Sequence, residues 1–529
     1  MMRQTKRMQK LLICALLFVV PTFGMGAAVG QTPAPNVWTP ELMMKVKGVG
    51  AASSTPPGAV RVSPDGKRVA YTVTTSVMTP EKSEYVTQIH GARIDGGDSF
   101  QVTYAEKSSS NPRWSPDSKW LAFTSSRSGK NNLYLLRLDG GEAEQLTDVK
   151  TSVSNFAWSP DNRSIAFTMS DQLSDDEEKG TKGKDDWRWV DESVKQNRLY
   201  VVTLQKDAEG KRAPRKLTKS DYHVGGDFDW SPDGKSIVFS HTKGPKADYW
   251  TTSDVSVIDV ASGEAKTIAA TPAAEAQPAF SPDGKTIAMS VSDNPPRWAR
   301  SATIALVPTG GGASKALASS YDGQPNLIGW AADGKNLYFS EARGTGTRLY
   351  TASAATGAIT EVNKSGEVLN GIDLNHSRTM LGFVMQSSER PPEAFVSRAG
   401  DFAPVQISRA NADIPQLPLG KTEVASWKST DGKEIEGLLT YPVNYQPGKR
   451  VPLLLVIHGG PAGVFTQTFI ASRGAYPIAA FASRGYAVLR PNPRGSSGYG
   501  ADFRRANVKD WGRGDFNDLM TGVDHVVKM

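Results

Sequence analysis

The stretch Leu453-Leu-Leu-Val-Ile457-His458-Gly459-Gly460-Pro461 joins a run of apolar residues to a glycine-rich turn. Consecutive branched apolar residues predict a strand that is buried on both faces, as the strands of a parallel sheet are. Functional groups of such sheets collect in the loops that follow the strands. The stretch therefore predicts a buried parallel strand that ends at a functional loop, residues 458–461.

The residues on either side of this stretch predict further strands of the sheet that contains it, and a helix. Residues 424–428 and 434–441 alternate around Thr430-Asp-Gly432 and predict a hairpin. A crossover at 467–484 leads through Gly485 to a second strand, 486–489, which is followed by the loop Arg490-Pro-Asn-Pro-Arg-Gly-Ser-Ser-Gly-Tyr-Gly500. Residues 515–529 predict a helix with one apolar face, formed by Leu519, Val523, Val526 and Val527. This order is typical of the beginning of an α/β-hydrolase domain.

In an α/β-hydrolase the next strand carries the nucleophile in Gly-x-Ser-x-Gly, and the triad Asp and His come later. That motif does not occur in the 529 residues. Ser496 and Ser497 lie between glycines but lack its spacing, so neither is predicted to be the nucleophile. We expect an incomplete hydrolase domain at 416–529, cut off before its nucleophile. The strands 453–457 and 486–489 should then expose an apolar edge and face and promote aggregation.

One phrase recurs through the middle of the chain: an apolar or aromatic residue, Ser-Pro-Asp-Gly-Lys, and then alternating apolar residues. Five copies begin at Val62, Trp114, Trp158, Trp230 and Phe280; Trp330-Ala-Ala-Asp-Gly-Lys335 is a sixth, and Asp373-Leu-Asn-His-Ser-Arg378 is a degenerate seventh. Pro-Asp-Gly predicts a tight turn between two short strands. Repeats of this period are typical of four-stranded propeller blades, so the chain predicts a seven-bladed β-propeller at 50–415. An open sandwich with recurring turns is the alternative.

A longer gap separates the third and fourth copies of the phrase. It contains residues 171–198, with Asp175-Asp-Glu-Glu178 and Trp187-Arg-Trp189. Charge runs usually face water, which predicts a solvated insertion in the third blade. Because two indoles in so polar a segment need a surface to pack on, Trp187 and Trp189 are alternatively predicted to cap the propeller opening or to contact substrate.

The N-terminus has the composition of a targeting segment. Arg3, Lys6, Arg7 and Lys10 precede the apolar residues 11–20, and small residues follow as far as Gly30. This order predicts a signal peptide over residues 1–30, followed by an N-terminal segment at 31–49; an uncleaved anchor is the alternative. No other stretch is apolar enough to predict a membrane span. The only cysteine, Cys14, lies within 1–30, and an exported protein without disulfides fits a bacterial periplasm or cell surface.

Composition excludes several classes of function. The 61 basic and 54 acidic residues give a net charge of +7, and removal of residues 1–30 leaves 57 basic against 54 acidic residues, or +3. So small an excess, without a clustered basic face, does not predict a nucleic-acid partner. The sequence contains no phosphate-cradling loop and no metal-ligand cluster, and we expect no cofactor and no metal.

The chain from about residue 31 resembles the prolyl oligopeptidase family of serine peptidases, in particular its acylaminoacyl peptidase and dipeptidyl peptidase branches. The resemblance rests on His458-Gly-Gly-Pro461, Asn492-Pro-Arg-Gly-Ser-Ser-Gly-Tyr-Gly500 and Trp511-Gly-x-x-Asp515-x-x-Asp518. It implies a propeller that covers a C-terminal hydrolase domain and admits peptides, which a serine cleaves through an acyl-enzyme. The repeats alone also resemble the propeller protein of the Tol system, so a non-catalytic module that binds peptides or proteins is the second hypothesis.

The resemblance also implies roles for single residues. Gly460 would donate its backbone N–H to the oxyanion, with His458, Gly459 and Pro461 shaping the loop. Arg494 and Tyr499 would support the site from beneath. His458 is predicted to be a structural hydrogen-bonding residue, because the general base of the family lies farther downstream. Without Ser, Asp and His of the triad, the chain by itself is predicted to be inactive.

Overall fold

A computed structural model describes residues 37–50, 60–185, 187, 192, 194–364, 366–460 and 462–529. The predicted signal peptide lies outside these residues. Within them, strands form seven antiparallel sheets, which follow one another along the chain, and one mixed sheet near the C-terminus. We call residues 48–406 the propeller region and residues 422–529 the C-terminal region.

The first three antiparallel sheets take up residues 48–216. A short helix, α1 (Pro40–Met43), precedes them. The first sheet contains β1 (Gly48–Val49), β2 (Val60–Val62), β3 (Arg68–Met78), β4 (Ser83–Arg93) and β5 (Phe100–Gln101). The second contains β6 (Ser109–Trp114), β7 (Trp120–Ser125), β8 (Asn132–Arg137) and β9 (Glu144–Gln145). The third contains β10 (Val153–Trp158), β11 (Ser164–Ser170), helix α2 (Asp175–Lys182) in a connection, β12 (Asn197–Thr203) and β13 (Arg215–Lys216).

The other four antiparallel sheets repeat this pattern. The fourth contains β14 (His223–Trp230), β15 (Ser236–Thr242), β16 (Asp254–Asp259) and β17 (Ala265–Ala269), with a 3₁₀ helix at Ala247–Thr252. The fifth contains β18 (Glu275–Phe280), β19 (Thr286–Ser292), β20 (Ala302–Pro308) and β21 (Lys315–Ala316). The sixth contains β22 (Asn326–Trp330), β23 (Asn336–Arg343), β24 (Gly346–Ser353) and β25 (Ile359–Glu361). The seventh contains β26 (Val368–Leu374), β27 (Met380–Gln386), β28 (Glu393–Arg398) and β29 (Val405–Gln406).

The recurring phrase forms the turn between the first two strands of a sheet. In the fourth sheet, Ser231 Oγ donates to Asp233 Oδ1 over 2.6 Å and accepts the backbone N–H of Ser236 over 2.9 Å. The same carboxylate accepts the N–H of Lys235, and Gly234 takes a φ of +70°. Ser and Asp therefore satisfy the turn's backbone donors, and Gly supplies its left-handed position.

The tryptophan of the phrase links neighbouring sheets. Its indole Nε1–H donates to a backbone carbonyl in the preceding sheet, on the strand that leads into the Pro-Asp turn. These bonds measure 3.0–3.2 Å and join Trp114 to Arg61, Trp158 to Arg113, Trp230 to Ala157 and Trp330 to Ala279. Because a buried indole needs a hydrogen-bond acceptor, the repeated tryptophan fixes the spacing between sheets.

The sheets close into a ring, which is the arrangement of a β-propeller. Each packs on the next through a buried apolar cluster, and β2 of the first sheet packs against β26 and β27 of the seventh. At this closure Asn375 donates to Ser63 O over 3.1 Å. Asn375 also accepts the N–H groups of Thr379 and Met380, so it holds the seventh turn as Ser231 holds the fourth.

The mixed sheet confirms the predicted hairpin and the parallel pair. It contains β30 (Thr422–Lys428), β31 (Glu434–Thr440), β32 (Leu453–Leu455) and β33 (Ala487–Asn492), in the order β30-β31-β33-β32. β32 runs parallel to β33, and the other pairs are antiparallel. The helices of this region are α3 (Ile478–Ser483), α4 (Ala501–Arg505) and α5 (Gly514–Lys528).

Two expectations for these strands were wrong in part. The strand predicted at 453–457 is only three residues long, and Ile457 beyond it is 47% exposed. The strand predicted at 486–489 does not form an exposed edge, because β33 lies between β31 and β32 and both Val488 and Leu489 are buried. The apolar edge of the described sheet is therefore β32 alone.

The described part of the predicted N-terminal segment, residues 37–49, contacts both of the other regions. Gly48 and Val49 pair with β3 in the first sheet. Trp38 and Met43 are buried in one apolar cluster with residues of the C-terminal region, including Phe469. The ring of Trp38 meets that of Phe469 edge-on, with centroids 6.1 Å apart. This segment therefore bridges the propeller region and the C-terminal region.

The predicted apolar face of the last helix was also wrong in part. Val527 is 75% exposed, and the buried residues of α5 are Gly514, Asp518 and Gly522. A Cβ on Gly522 would lie 2.6 Å from Cζ2 of Trp427, so glycine is needed for the helix to lie against that indole. The contact face is set by small residues, which a search for apolar periodicity does not detect.

The insertion lies in the third sheet, between β11 and β12, where the charge pattern predicted it. Its helix α2 begins with a capping box, in which Ser174 and Glu177 bond each other's backbone N–H. Glu177 also pairs with Lys195 over 2.6 Å. Trp187 is 67% exposed, and Trp189 lies outside the described residues. The proposed capping role of this pair stays a prediction.

Candidate active-site loops

The glycine-rich loop predicted at 458–461 follows β32 directly. Gly460 has a φ of +136°, and a Cβ on it would lie 2.6 Å from the backbone nitrogen of Gly463. A Cβ on Gly463 would lie 2.3 Å from the carbonyl oxygen of Gly459. Both positions therefore need glycine. Gly459 and Gly460 are exposed, whereas Pro461 lies outside the described residues.

His458 ties this loop to the loop at 493–499. Its Nε2 lies 3.0 Å from Ser496 Oγ, and its Nδ1 lies 3.1 Å from Gly459 O. Ser496 is fully buried and donates its hydroxyl proton to Pro493 O over 2.7 Å. A neutral imidazole carries a single N–H, so only one of these two ring nitrogens donates. Burial lowers the pKa of His458 below its ordinary value, so the ring is neutral near pH 7.

Ser497 makes a second connection between the loops. Its hydroxyl donates to Ala462 O over 2.7 Å, and its backbone N–H donates to Gly463 O over 3.2 Å. The serines at 496 and 497 thus hold the glycine-rich loop from below, each through a different hydrogen bond. Their side chains are engaged with the protein itself, and both residues are buried.

Asn492, at the end of β33, clamps the chain just after the glycine-rich loop. Its side-chain oxygen accepts the N–H of Phe465 over 2.7 Å, and its amide donates to Phe465 O and to the Tyr499 hydroxyl, each over 3.0 Å. Burial and the carboxylate of Glu436 raise the pKa of Tyr499, which keeps its phenol protonated. Asn492 begins one of the three C-terminal motifs, and no role was predicted for it from the sequence. Its position as a polar residue at the end of an apolar strand was the signal from which a role could have been predicted.

Arg494, in the 493–499 loop, contacts two other elements of the C-terminal region. Its Nε and Nη2 donate to the two carboxylate oxygens of Asp518 on α5, over 2.9 and 2.8 Å. Its Nη1 and Nη2 donate to Asp431 in the hairpin turn, over 2.9 and 3.0 Å. These carboxylates raise the pKa of Arg494. With Asp518 fully buried, the guanidinium joins hairpin, loop and helix and reaches no open surface.

The loops also rest on the propeller region. Gly344 donates its N–H to Gly498 O over 2.7 Å, and Gln467 donates to Thr345 O over 2.9 Å. Arg504 on α4 forms a buried ion pair with Asp322, which lies between the fifth and sixth sheets. No pattern in the sequence predicted these contacts, because they join residues more than a hundred positions apart.

The geometry supports anion stabilisation more than nucleophilic attack. A rigid glycine-rich turn at the carboxyl end of a parallel strand can present backbone N–H groups to a developing oxyanion.

Within the described residues, no cluster of three or more His, Cys, Asp or Glu side chains is arranged to hold a metal ion. The described helices also include none with the length and hydropathy of a membrane span.

Comparison with known proteins agrees with both halves of this architecture. The model of the TolB β-propeller domain matches residues 50–175, and that of the prolyl oligopeptidase family matches residues 475–529. Dipeptidyl-peptidase 5 of Porphyromonas gingivalis is 26% identical over 513 residues, which cover 93% of this chain and 72% of that protein. The peptidase YuxL of Bacillus subtilis is 29% identical over 538 residues, with 88% and 73% covered. The chain is therefore similar to the prolyl oligopeptidase family of peptidases.

A solved acylaminoacyl peptidase shares the fold. Acylaminoacyl peptidase of Pyrococcus horikoshii matches with a TM-score of 0.72 at 20% identity, over 93% of this chain and 72% of that one. The family resemblance drawn from the three C-terminal motifs is confirmed by the family model and by the peptidase relatives, whereas the solved structure shows the fold. Of the residues it singled out, the structure brings His458, Gly459 and Gly460 against the loop that carries Arg494 and Tyr499.

Proposed function

We propose that this chain supplies the propeller and the oxyanion loop of a serine peptidase that cleaves short peptides through an acyl-enzyme. The observation that carries the proposal is the glycine-only turn at Gly460. It follows the parallel strand β32, and His458 and Ser497 hold it against the 493–499 loop. In such a peptidase a backbone donor of this kind contributes about 3 kcal/mol to stabilisation of the transition state.

The proposed architecture is a seven-bladed propeller followed by the first strands of an α/β-hydrolase domain. Seven antiparallel sheets, with the last packed on the first, support the blade count. The hairpin, the parallel pair β32 and β33, and the helix α5 support the hydrolase assignment. Buried contacts such as Arg504 with Asp322 suggest that the propeller acts as a wall of the substrate chamber.

The proposed substrates are peptides, in keeping with the names of the relatives, which are dipeptidyl and acylaminoacyl peptidases. Acyl transfer needs a nucleophile and a base, and residues 1–529 contain no Gly-x-Ser-x-Gly. We therefore propose that these residues alone are inactive.

Purified residues 31–529 should release no product from aminoacyl or dipeptidyl chromogenic substrates and should not react with a fluorophosphonate probe. Turnover by this chain would overturn the proposal of inactivity.

A second experiment tests the catalytic class. The coding DNA should be read past codon 529 for an in-frame Gly-x-Ser-x-Gly, and any extended chain should be assayed beside residues 31–529. We expect fluorophosphonate labelling of the extended chain and loss of that labelling when its motif serine is replaced by alanine. If an extended chain with the motif remains unlabelled and inactive, the chain is a binding module and the peptidase proposal fails.

We also propose export to the periplasm or the cell surface, on the strength of the basic, apolar and small-residue order of residues 1–30. Expression with these residues in a bacterial host should yield a mature protein that begins at Gln31. N-terminal sequencing of the periplasmic fraction measures this. A chain that keeps Met1 and stays in the cytoplasm would contradict export.

A further inference from the structure

A cavity of about 570 Å³ opens at the end of the propeller region that the Pro-Asp turns form. Five turn prolines line its rim: Pro64, Pro116, Pro160, Pro232 and Pro282. The C-terminal region contacts the opposite ends of these strands, for example at Gln386 and Thr345. A strand of six residues spans about 20 Å, so this cavity is distinct from the loops around His458.

Two arginines from adjacent sheets line one side of the cavity. Arg61 and Arg113 occupy the same place in their repeats, just before Val62 and Trp114. Arg61 is 8% exposed; its Nη1 pairs with Asp373, whereas its Nε and Nη2 have no hydrogen-bond partner among the described residues. Arg113 donates from Nη2 to Asn155 over 2.9 Å, and its Nε is likewise unpartnered.

This pair of guanidiniums favours an anionic group between them. An unpartnered buried N–H of a charged group is costly, and native proteins rarely leave one. Burial and the charge of Arg61 lower the pKa of Arg113 to about 9, and the nearby carboxylates of Asp373 and Asp229 offset this only in part. A carboxylate accepts two parallel bonds from a guanidinium fork, which matches the free Nε and Nη2 of Arg61.

Carboxyl groups line the other side of the cavity. Asp227 and Asp229 lie on β14 of the fourth sheet, across the ring from the first two. Asp229 accepts the N–H of Phe280 over 2.9 Å, but within the described residues no ion pair is found for Asp227. Burial raises the pKa of both groups, so a cation beside them would favour their charged forms.

We propose that this cavity binds a zwitterionic amino acid or short peptide, with its carboxylate on Arg61 and Arg113 and its ammonium on Asp227. Opposite charges on facing walls match the two ends of such a ligand. A simple anion is a poorer match, because it leaves the carboxyl group of Asp227 without a counter-charge. Apolar atoms of Trp114 and Trp158 also line the wall and offer contact to a side chain. A cavity of this volume is in the range that holds small ligands.

Calorimetric titration of residues 31–529 with four probes tests the assignment. The probes are alanylphenylalanine, its N-acetyl derivative, its C-terminal amide and inorganic phosphate. We expect the free dipeptide to bind, and removal of either terminal charge to weaken binding by about tenfold to a hundredfold. Binding requires no hydrolysis, so the outcome is independent of the peptidase proposal.

Variants assign each end of the ligand. Arg113→Gln should weaken the free dipeptide and the N-acetyl derivative equally, whereas Asp227→Asn should weaken the free dipeptide and leave the N-acetyl derivative unchanged. The matched control is Arg163→Gln, in an exposed turn on the same end of the propeller region. Circular dichroism verifies that each variant is folded.

Three results overturn the proposal. Equal affinity for the free and N-acetylated dipeptides, or for phosphate, shows a plain anion site. Absence of binding by all four probes shows that the charged walls serve only to join the sheets. Binding that persists in both Arg113→Gln and Asp227→Asn places the ligand elsewhere.

Discussion

Arg504 and Asp322 form an ion pair that is buried on both sides, with Nη1 2.9 Å from Oδ2 and neither side chain more than 1% exposed. Arg504 also donates from Nη2 to Asp322 O and from Nε to Arg300 O, over 2.8 and 3.1 Å. Asp322 in turn accepts the N–H of Gly500 over 2.9 Å. A single arginine on α4 thus anchors the C-terminal region to the propeller region.

Removal of one partner of this pair should be strongly destabilising. In Asp322→Asn the guanidinium of Arg504 stays buried without its counter-charge, which costs about 3–5 kcal/mol. Urea denaturation followed by circular dichroism measures the loss. Asp502→Asn is the matched control, because Asp502 pairs with Arg505 on the same helix but is fully exposed. If the two variants unfold at the same urea concentration, the pair is not an anchor.

The indole bonds between sheets give a second prediction. Trp158→Phe keeps a large ring in the cluster between the second and third sheets but leaves Arg113 O without its donor. The expected loss of stability is about 1–3 kcal/mol. Thermal unfolding monitored by circular dichroism measures it, with Trp298→Phe at an exposed indole as the control. An unchanged melting temperature for Trp158→Phe would mean that packing alone sets the spacing between sheets.

The ring of sheets was predictable because its chemistry is local. Within six residues, Ser231 and Asp233 bond the backbone N–H groups of the turn and Gly234 takes the left-handed position. A turn built from such close neighbours can be recognised in the sequence. The seventh copy is degenerate because Asn375 replaces the serine and holds the turn with its own side-chain oxygen. A search for the phrase detects the place of that turn but not how it is held.

The site was predictable only where one residue type is obligatory. Gly460 and Gly463 are dictated by backbone geometry, and the glycine-rich loop could therefore be located from the sequence. The support of that loop depends on Asn492 and on contacts with the propeller region such as Gly344 with Gly498. These are long-range polar contacts, which have no periodicity and no fixed spacing. For the same reason the packing of Trp38 into the C-terminal region was not foreseen.

A buried histidine should make stability depend on pH. His241 in β15 is 8% exposed, lies 2.8 Å from Ser256 Oγ through its Nε2, and stacks on Tyr222. Burial lowers its pKa from 6.5 to about 4. The unfolded chain therefore binds a proton more readily, and the contribution of the neutral ring, complete above pH 6.5, is lost as the pH falls toward 4.

Between pH 7.5 and pH 5 this one group should reduce the free energy of unfolding by about 2 kcal/mol. His241→Gln cannot be protonated, so its stability should fall by about that much less over the same interval. Urea denaturation of both proteins at the two pH values gives the difference. If the two pH dependences are parallel, His241 does not titrate as its burial implies.

Two adjacent glycines allow a matched test of the glycine-rich loop. A Cβ on Gly460 would lie 2.6 Å from the nitrogen of Gly463 at a φ of +136°, whereas a Cβ on Gly459 meets no atom within 4 Å. Gly460→Ala should therefore shift the loop and cost about 1–3 kcal/mol, and Gly459→Ala should not. The side-chain NMR signals of His458 report the shift, because its ring contacts Gly459 and Ser496. Equal displacement of these signals in both variants would show that backbone geometry does not dictate glycine at 460, and the loop would then lack the rigidity that an oxyanion donor needs.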